Sequence, residues 1–464
     1  RKVYFVIACN FLKSKYRQIY ILYIYISASV NGLSIIVAFH LFQQLIVIKP
    51  VIMKMDTILK RFKIGLIYLA LLSIVYLYYT YYIRVLIYKH ILTHKESAFK
   101  NISEGNYSVS IENNNMKYIL QWTSKSRPPF YHMGEGNSAF IENKCKYTNC
   151  YVTDDRNYFP NETDFDAIAF NGMDVSGISP AQIPKLRSTK QKYVFGAMES
   201  ADNFPLCAQY LDGFFNWTWT YRLDSDIRWE YIKIFDMNKT LVGPKINMEW
   251  PAEMKPLNEE LKEKLSNKTK AVAWFVSHCV TKGKREAYVK KLKKNLSKFG
   301  WTVDIYGKCG NLECPRKDEK CKDLLERNYY FYLSFENSFA EDYVTEKLLN
   351  ALNNNVVPIV YGAADYTRYL PNGSYLDAMI LGPTKLATEI NDIIKNKTRY
   401  YDYFRWKNHF VYEQADKPSV CNLCEWLNNE EKFNEFSVWN NFRTWWNGAR
   451  YKINCASFKD SATN

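Results

Sequence analysis

One stretch carries side chains whose types and spacing suit work on a phosphorylated substrate. Tyr329 to Gly362 reads YYFYLSFENSFAEDYVTEKLLNALNNNVVPIVYG. Glu336, Asn337 and Ser338 follow its apolar opening. Tyr343, Thr345, Glu346 and Lys347 stand where a helical pattern begins. A helix N-terminus offers unpaired N–H groups and a positive dipole end, and both suit phosphate. Lys347 adds a full positive charge there. A Glu–Lys pair in a first turn is also ordinary solvated surface, so the pattern alone assigns no function.

These side chains need a scaffold. Tyr329 to Phe335 is aromatic, apolar and uncharged, as in a strand buried on both faces. Val344, Leu348, Leu349 and Leu352 share one side of a helix, and Val356 to Tyr361 is a second apolar run closed by Gly362. Strand, helix, strand is one βαβ unit of a parallel sheet. Ligands bind such sheets at the carboxyl ends of the strands. A second unit precedes it. Ala271 to Ser277 predicts a strand, Gly283 to Lys298 a basic amphipathic helix stopped by Gly300, and Trp301 to Tyr306 a strand ended by Gly307. There is no G-x-G-x-x-G and no G-x-x-x-x-G-K-[ST], so neither a dinucleotide nor a P-loop reading is supported.

Upstream, Tyr118 to Trp122 and Phe165 to Asn171 predict strands. A further strand containing Tyr193-Val194-Phe195-Gly196 runs out into Glu199. Trp217, Trp219, Tyr221 and Leu223 alternate with Thr218, Thr220, Arg222 and Asp224, the period of a half-buried strand. Arg222 has Asp224 or Asp226 as an expected ion partner. Pro251 to Ser266 reads as a linker helix, and the aromatic, basic stretch Trp426 to Tyr451 as a closing helix.

The chain has 464 residues, which suits two or three domains, and a net charge of +15. That charge admits nucleic acid, an anionic membrane or a phosphate-bearing substrate. The lysines are scattered, apart from Lys282 to Lys298, as on a solvated basic surface. Of eleven cysteines, ten lie beyond residue 140. Nine N-x-Ser/Thr sequons stand at Asn101, Asn106, Asn161, Asn216, Asn238, Asn267, Asn295, Asn372 and Asn396. Together they favour the secretory pathway and argue against a nucleic-acid partner. Cys421 and Cys424 form a CxxC. Zinc would need two more ligands, from among Cys309, Cys314 and Cys321. A redox pair lacks its thioredoxin context. Disulfides fit the lumen best.

Ile64 to Ile83 is uncharged and long enough to span a bilayer. Lys54, Lys60, Arg61 and Lys63 precede it, so its N-terminal side is expected in the cytosol and the rest of the chain in the lumen, a single-pass type II topology. Ile19 to Ile48 is a second apolar run, broken by His40, Gln43 and Gln44. Translation is expected to start at Met53 or Met55, with residues 1–52 a non-native extension. The expected divisions are then 53–88 for cytosolic start and anchor, 89–115 for a stem, 116–265 and 266–415 for two lumenal domains, and 416–464 for a segment returning to the first of them.

The wording of several stretches is more specific than their pattern. FYLSFENS…DYVTEK, NCYVTDDR and NWTWTYRLDSD resemble segments of the α1,3-fucosyltransferases, glycosyltransferase family ten, and the resemblance runs over about residues 118–430. It implies an α/β fold of two Rossmann-like domains facing a cleft (GT-B), preceded by a transmembrane helix in the Golgi membrane. It implies inverting transfer of L-fucose from GDP-fucose to the 3-hydroxyl of GlcNAc in a glycan. Such a transfer needs one carboxylate to take the acceptor's proton, not the pair a glycosidase uses. By resemblance that acid is Glu199, although the family's nearby Pro is Ala201 here. Arg285 and Lys347 would meet the diphosphate, the guanidinium fork suiting phosphate better than an ammonium does. Tyr221, Arg222, Asp304, Glu336, Asn337, Tyr343 and Glu346 would line the donor, Asp304 from a strand's carboxyl end. Cys145 and Cys150 would pair with Cys421 and Cys424, in either order. No cofactor is required if Arg285 and Lys347 neutralise the leaving diphosphate. Asp224-Ser225-Asp226, a D-x-D by letters, is the alternative holder of a divalent cation. The acceptor is either the core GlcNAc of an N-glycan or a terminal lactosamine-type unit, chosen by loops around Gly134–Asn149 and Asn171–Lys190. A GT-B enzyme using another nucleotide sugar, or an inactive carbohydrate-binding relative, would share the fold.

Overall fold

The computed structural model describes residues 6–7, 22–23, 73, 76, 115–314, 319–415, 419–456 and 458. The chain divides into two units, Arg1–Ile111 and Glu112–Asn464. In the first, Val6–Ile7 pairs antiparallel with Leu22–Tyr23, and Ser73 and Tyr76 are helical. The expected anchor and stem otherwise lie outside the described residues, as do Asn101 and Asn106, apart from Asn115. No helix among the described residues is long and apolar enough to cross a membrane.

The second unit contains two parallel sheets. The later one has the order Val303–Tyr306, Lys270–Phe275, Tyr329–Phe335, Val357–Tyr361, Leu376–Asp377. Its central strand, Tyr329–Phe335, is buried at every position, because helices cover both faces. Phe331, Leu333 and Phe335 face Val289 and Leu292 of helix Arg285–Leu296 and Leu386, Ile390 and Ile393 of helix Ala378–Lys395. Tyr332 faces the other way, toward Leu325 of helix Glu319–Asn328 and Ala351 of helix Glu346–Leu352. Gly300, at φ +81°, ends the turn after the Arg285–Leu296 helix, a conformation that favours glycine.

The earlier sheet has six parallel strands in the order Cys150–Thr153, Lys117–Gln121, Ala167–Asn171, Lys192–Ala197, Trp217–Thr220, Ile227–Arg228. Its connections supply only short helices, among them Ser138–Glu142 and Gly172–Val175. The end of the chain covers the rest. On one face Phe195 packs against Phe442 and Trp446 of helix Phe442–Asn447, with ring centroids 4.9 and 4.8 Å away. On the other, Val152 and Trp217 share a core with Val420, Leu423 and Leu427 of helix Val420–Asn428. A fully buried Phe or Leu contributes about 1.5–3 kcal/mol. The single closing helix expected over Trp426–Tyr451 is instead broken into Val420–Asn428, Glu430–Asn434, Phe442–Asn447 and Tyr451–Asn454. One straight helix could not reach both faces of a sheet.

Disulfides hold that return in place. Cys145 joins Cys421 and Cys150 joins Cys424. Cys207 joins Cys455, Cys279 joins Cys309 and Cys314 joins Cys321. The bonded Cys309, Cys314, Cys321, Cys421 and Cys424 leave no place for the zinc or redox alternatives. A third, antiparallel sheet links the halves: Phe410–Gln414 pairs with Ile232–Asp236, which pairs with Leu241–Gly243.

Two expectations need correction. Trp217–Thr220 is buried throughout, not half-buried. Thr218 and Thr220 tolerate this because their hydroxyls bond Asp226 and Ser225. Asn216 cannot carry a glycan in this fold. It is buried, its carbonyl accepts from Arg187 and from the Tyr193 N–H, and its amide donates to the Ser437 carbonyl. Asn161, Asn238, Asn267, Asn372 and Asn396 are exposed, and Asn295 is half-buried.

Replacing Cys421 and Cys424 together with Ser is expected to lower the unfolding free energy by about 2–5 kcal/mol per bond, read from the denaturant midpoint. An unchanged midpoint would show that the two bonds do not hold the chain's end.

Candidate active site

Glu199 lies just beyond strand Lys192–Ala197, at the carboxyl edge of the earlier sheet, and is half-buried. Tyr343 comes from the other half, between strand Tyr329–Phe335 and helix Glu346–Leu352. It is 3% exposed, and its hydroxyl donates to Glu199 Oε2 at 3.3 Å. The Tyr221 ring packs on Tyr343 at 5.0 Å, and the Tyr221 hydroxyl accepts from the Ala201 N–H at 3.1 Å. The Tyr231 hydroxyl donates to the Met198 carbonyl at 2.7 Å. Burial pushes the Tyr343 and Tyr231 hydroxyls well above their ordinary value, and the Glu199 and Glu336 charges push them further. Both remain protonated donors, so the carboxylate of Glu199 is approached by a neutral aromatic wall.

The diphosphate candidates cluster at the carboxyl edge of the later sheet. Glu336 is 2% exposed. It accepts from the Thr345 N–H and hydroxyl, each at 2.9 Å, and from Lys347 Nζ at 3.0 Å. Lys347 also donates to Thr345 Oγ1 at 2.6 Å and lies 3.5 Å from Glu346. Burial lowers the Lys347 pKa, but Glu336 and Glu346 outweigh it and hold the ammonium above its ordinary value. Its side chain keeps 24% exposure while that of Glu336 is 2% exposed. The helix begins at Glu346, not Val344, with Thr345 extended as its cap. Tyr343 therefore stands before the helix rather than in its first turn. Serving as the acceptor at that helix end is the work of Glu336.

Arg285 opens helix Arg285–Leu296 and is 4% exposed. Its Nη1 donates to the Phe335 carbonyl at 2.6 Å and its Nη2 to the His278 carbonyl at 3.3 Å. Its buried Nε has no hydrogen-bond partner. Burial lowers its pKa, opposed by Glu336 and Glu286. The Asn337 carbonyl accepts from the Gly283 N–H at 3.0 Å, and its Oδ1 accepts from the Ser338 hydroxyl at 2.9 Å. The turns before both helices are thus bonded into one edge.

Two residues expected to line the donor are held by protein partners. Arg222 is 4% exposed and engaged: Nε and Nη2 grip Asp224 at 2.8 and 2.9 Å, and Nη1 donates to the Trp445 carbonyl. Burial pulls its pKa down, but Asp224 and Glu341 outweigh that. Asp224 is one of the two expected ion partners, and the Trp445 bond ties Arg222 to the chain's end. Asp304 sits inside strand Val303–Tyr306, not at its carboxyl end. Its carboxylate accepts from the Tyr329 hydroxyl and Lys270, residues that open their own strands. The D-x-D carboxylates are engaged as well. Asp224 holds Arg222 and Trp445 Nε1, and Asp226 holds Thr218 and Trp439 Nε1. Among the described residues no group of three His, Cys, Asp or Glu side chains is arranged for a metal.

A family model described as the fucosyltransferase N-terminal domain matches residues 114–232, and one described as the C-terminal domain of glycosyltransferase family 10 (fucosyltransferase) matches 265–445. The chain is 36% identical over 305 residues to an α-(1,3)-fucosyltransferase C of Drosophila melanogaster, a match spanning 65% of this chain and 70% of that one. The chain belongs to glycosyltransferase family 10. A second relative, glycoprotein 3-α-L-fucosyltransferase A of the same fly, is 31% identical over 74% of this chain and 63% of its own. A crystal structure of an α1,3-fucosyltransferase with GDP-fucose aligns at 14% identity and TM-score 0.42, over 70% of this chain and 92% of that one.

Sequence reasoning missed Tyr231, which braces Met198 beside Glu199. It lies between the short strands Ile227–Arg228 and Ile232–Asp236, and no local periodicity marks a tyrosine there as packing beside Met198. Buried charge-assisted bonds contribute about 1.5–3 kcal/mol. Glu336→Gln is therefore expected to lose about that much stability in thermal or denaturant unfolding. Wild-type stability would show that Glu336 does not hold the helix end.

Proposed function

We propose that this chain is an inverting α1,3-fucosyltransferase that moves L-fucose from GDP-fucose to the 3-hydroxyl of GlcNAc in glycans. The observation that carries the division of labour is the Tyr343 hydroxyl on Glu199: the acid of one half stands against the donor segment of the other. Glu199 takes the proton of the acceptor hydroxyl as its oxygen attacks the anomeric carbon from the face opposite GDP. The bond to the diphosphate oxygen breaks, and the negative charge gathers on the leaving phosphate. Lys347 and Arg285 oppose that charge. Glu346 and Asn337 lie at the same edge and suit hydroxyl groups of the donor.

The acceptor enters from the earlier sheet. A cavity of about 460 Å3 opens at the carboxyl ends of its strands, lined by Trp122, Arg127, Arg156, Asp174 and Gln182. Its polar side chains suit the hydroxyl groups of a glycan. The reaction needs no metal in this reading, because the D-x-D acids already have partners and Lys347 and Arg285 are assigned to the diphosphate. Five disulfides among the described residues support a catalytic unit in the secretory pathway. A Golgi membrane, with the unit held in the lumen by one N-terminal span, fits both the pathway and the substrate.

Incubation with GDP-fucose and a panel of GlcNAc-containing acceptors is expected to give α1,3-linked product. Glu199→Gln is expected to lose about 10²–10⁴-fold in kcat with donor binding kept. Full activity in that variant would end the assignment of the base, and turnover with other nucleotide sugars but not with GDP-fucose would end the donor reading.

A further inference from the structure

The acid and the donor site belong to different sheets. An enzyme built that way must fix the distance between them, because a misplacement of about 1 Å costs on the order of a hundredfold in rate. We propose that Asp202 is the positioning residue that fixes it, by fastening the turn that carries Glu199 onto the donor-side segment 338–343. The proposal rests on the reading of Glu199 as base.

Asp202 is 2% exposed, and both carboxylate oxygens are engaged. Oδ2 accepts from the Phe339 N–H at 3.0 Å, and Oδ1 accepts from Arg450 Nε at 3.0 Å. The Arg450 guanidinium also lies over the Phe339 ring, 5.6 Å from its centre. The Asp202 carbonyl accepts from Lys282 Nζ at 2.5 Å, in the loop that leads to Arg285. One residue thus joins the donor segment, the chain's end and the approach to the diphosphate cluster. Ser200 adds a second tie two residues away. Its hydroxyl meets that of Ser338 at 2.5 Å, and both residues are buried. The turn between these ties is stiff, since the Asn203 and Phe204 N–H groups both bond the Ser200 carbonyl. Glu199 immediately precedes it. Asp202 is not itself an acid or base in the reaction, because its oxygens are sealed from any substrate. A carboxylate this buried is retained only where its bonds are made, and here those bonds cross between the halves.

The test compares Asp202→Asn, Glu199→Gln and the double variant, with Arg450→Met as a milder cut of the same clasp. For each, kcat, the GDP-fucose KM and the unfolding midpoint are measured. Asp202→Asn is expected to lower kcat about ten- to a hundredfold while the donor KM stays within about threefold. In the Glu199→Gln background the same substitution is expected to have little further effect, because the two act as a unit. Arg450→Met is expected to lower kcat several-fold, again with KM held, which keeps the question open to measurement if Asp202→Asn fails to fold. Wild-type kcat in folded Asp202→Asn or Arg450→Met overturns the positioning role alone, as does a full additive loss in the double variant or a parallel fall in donor affinity. Full activity in Glu199→Gln overturns the base reading and with it the route by which Asp202 acts.

Discussion

Segment 338–343 leaves the later sheet and is held by the earlier one. Ser338 meets Ser200, Phe339 donates to Asp202, and Tyr343 reaches Glu199. Asp342 is buried beside them, accepting from the Leu223 N–H and from Arg368. A loop between a strand and a helix is normally solvated and mobile. Most of this one is buried, with partners from both halves, while Glu341 stays exposed. The proposed chemistry depends on that constraint. An acid that must accept a proton and cations that must oppose a leaving diphosphate need fixed separation, and side chains on independent halves would not keep it.

The same logic explains the course of the chain after residue 410. The earlier sheet has too little helix of its own to cover two faces. The chain therefore pairs Phe410–Gln414 with Ile232–Asp236 and lays Val420–Asn428 on one face and Phe442–Asn447 on the other. Arg222 bonds the Trp445 carbonyl, and Arg450 bonds Asp202. Cover of the first half and the bonds to Arg222 and Asp202 thus come from one returning segment, which the disulfides from Cys145 and Cys150 tie down.

Much of this is legible in the sequence. The charge-free aromatic run at Tyr329–Phe335 is what a strand with helices on both faces requires, and the βαβ order around it follows from periodicity. The wording around FENS and DYVTEK was specific enough to point to the family. What periodicity does not carry is which partner a polar residue finds at long range. Asp304 and Arg222 sit in strand-like or strand-end sequence that suits a ligand equally well, yet Lys270 with Tyr329 and Asp224 with Trp445 take them up. Asn216 has a sequon's letters, but Arg187 and Ser437, far along the chain, decide that it is buried. Asp202 lies in an irregular turn with no period at all, and only the packing of two halves shows it as a hub.

The central claim is that the acid of one sheet and the cations of the other serve one substrate. A crystal structure of the chain with GDP bound tests it most directly. The diphosphate is expected against Lys347 and Arg285, with the terminal phosphate facing the space in front of Glu199 and Tyr343. A nucleotide seated elsewhere, with Glu199 turned away from its phosphates, would contradict it.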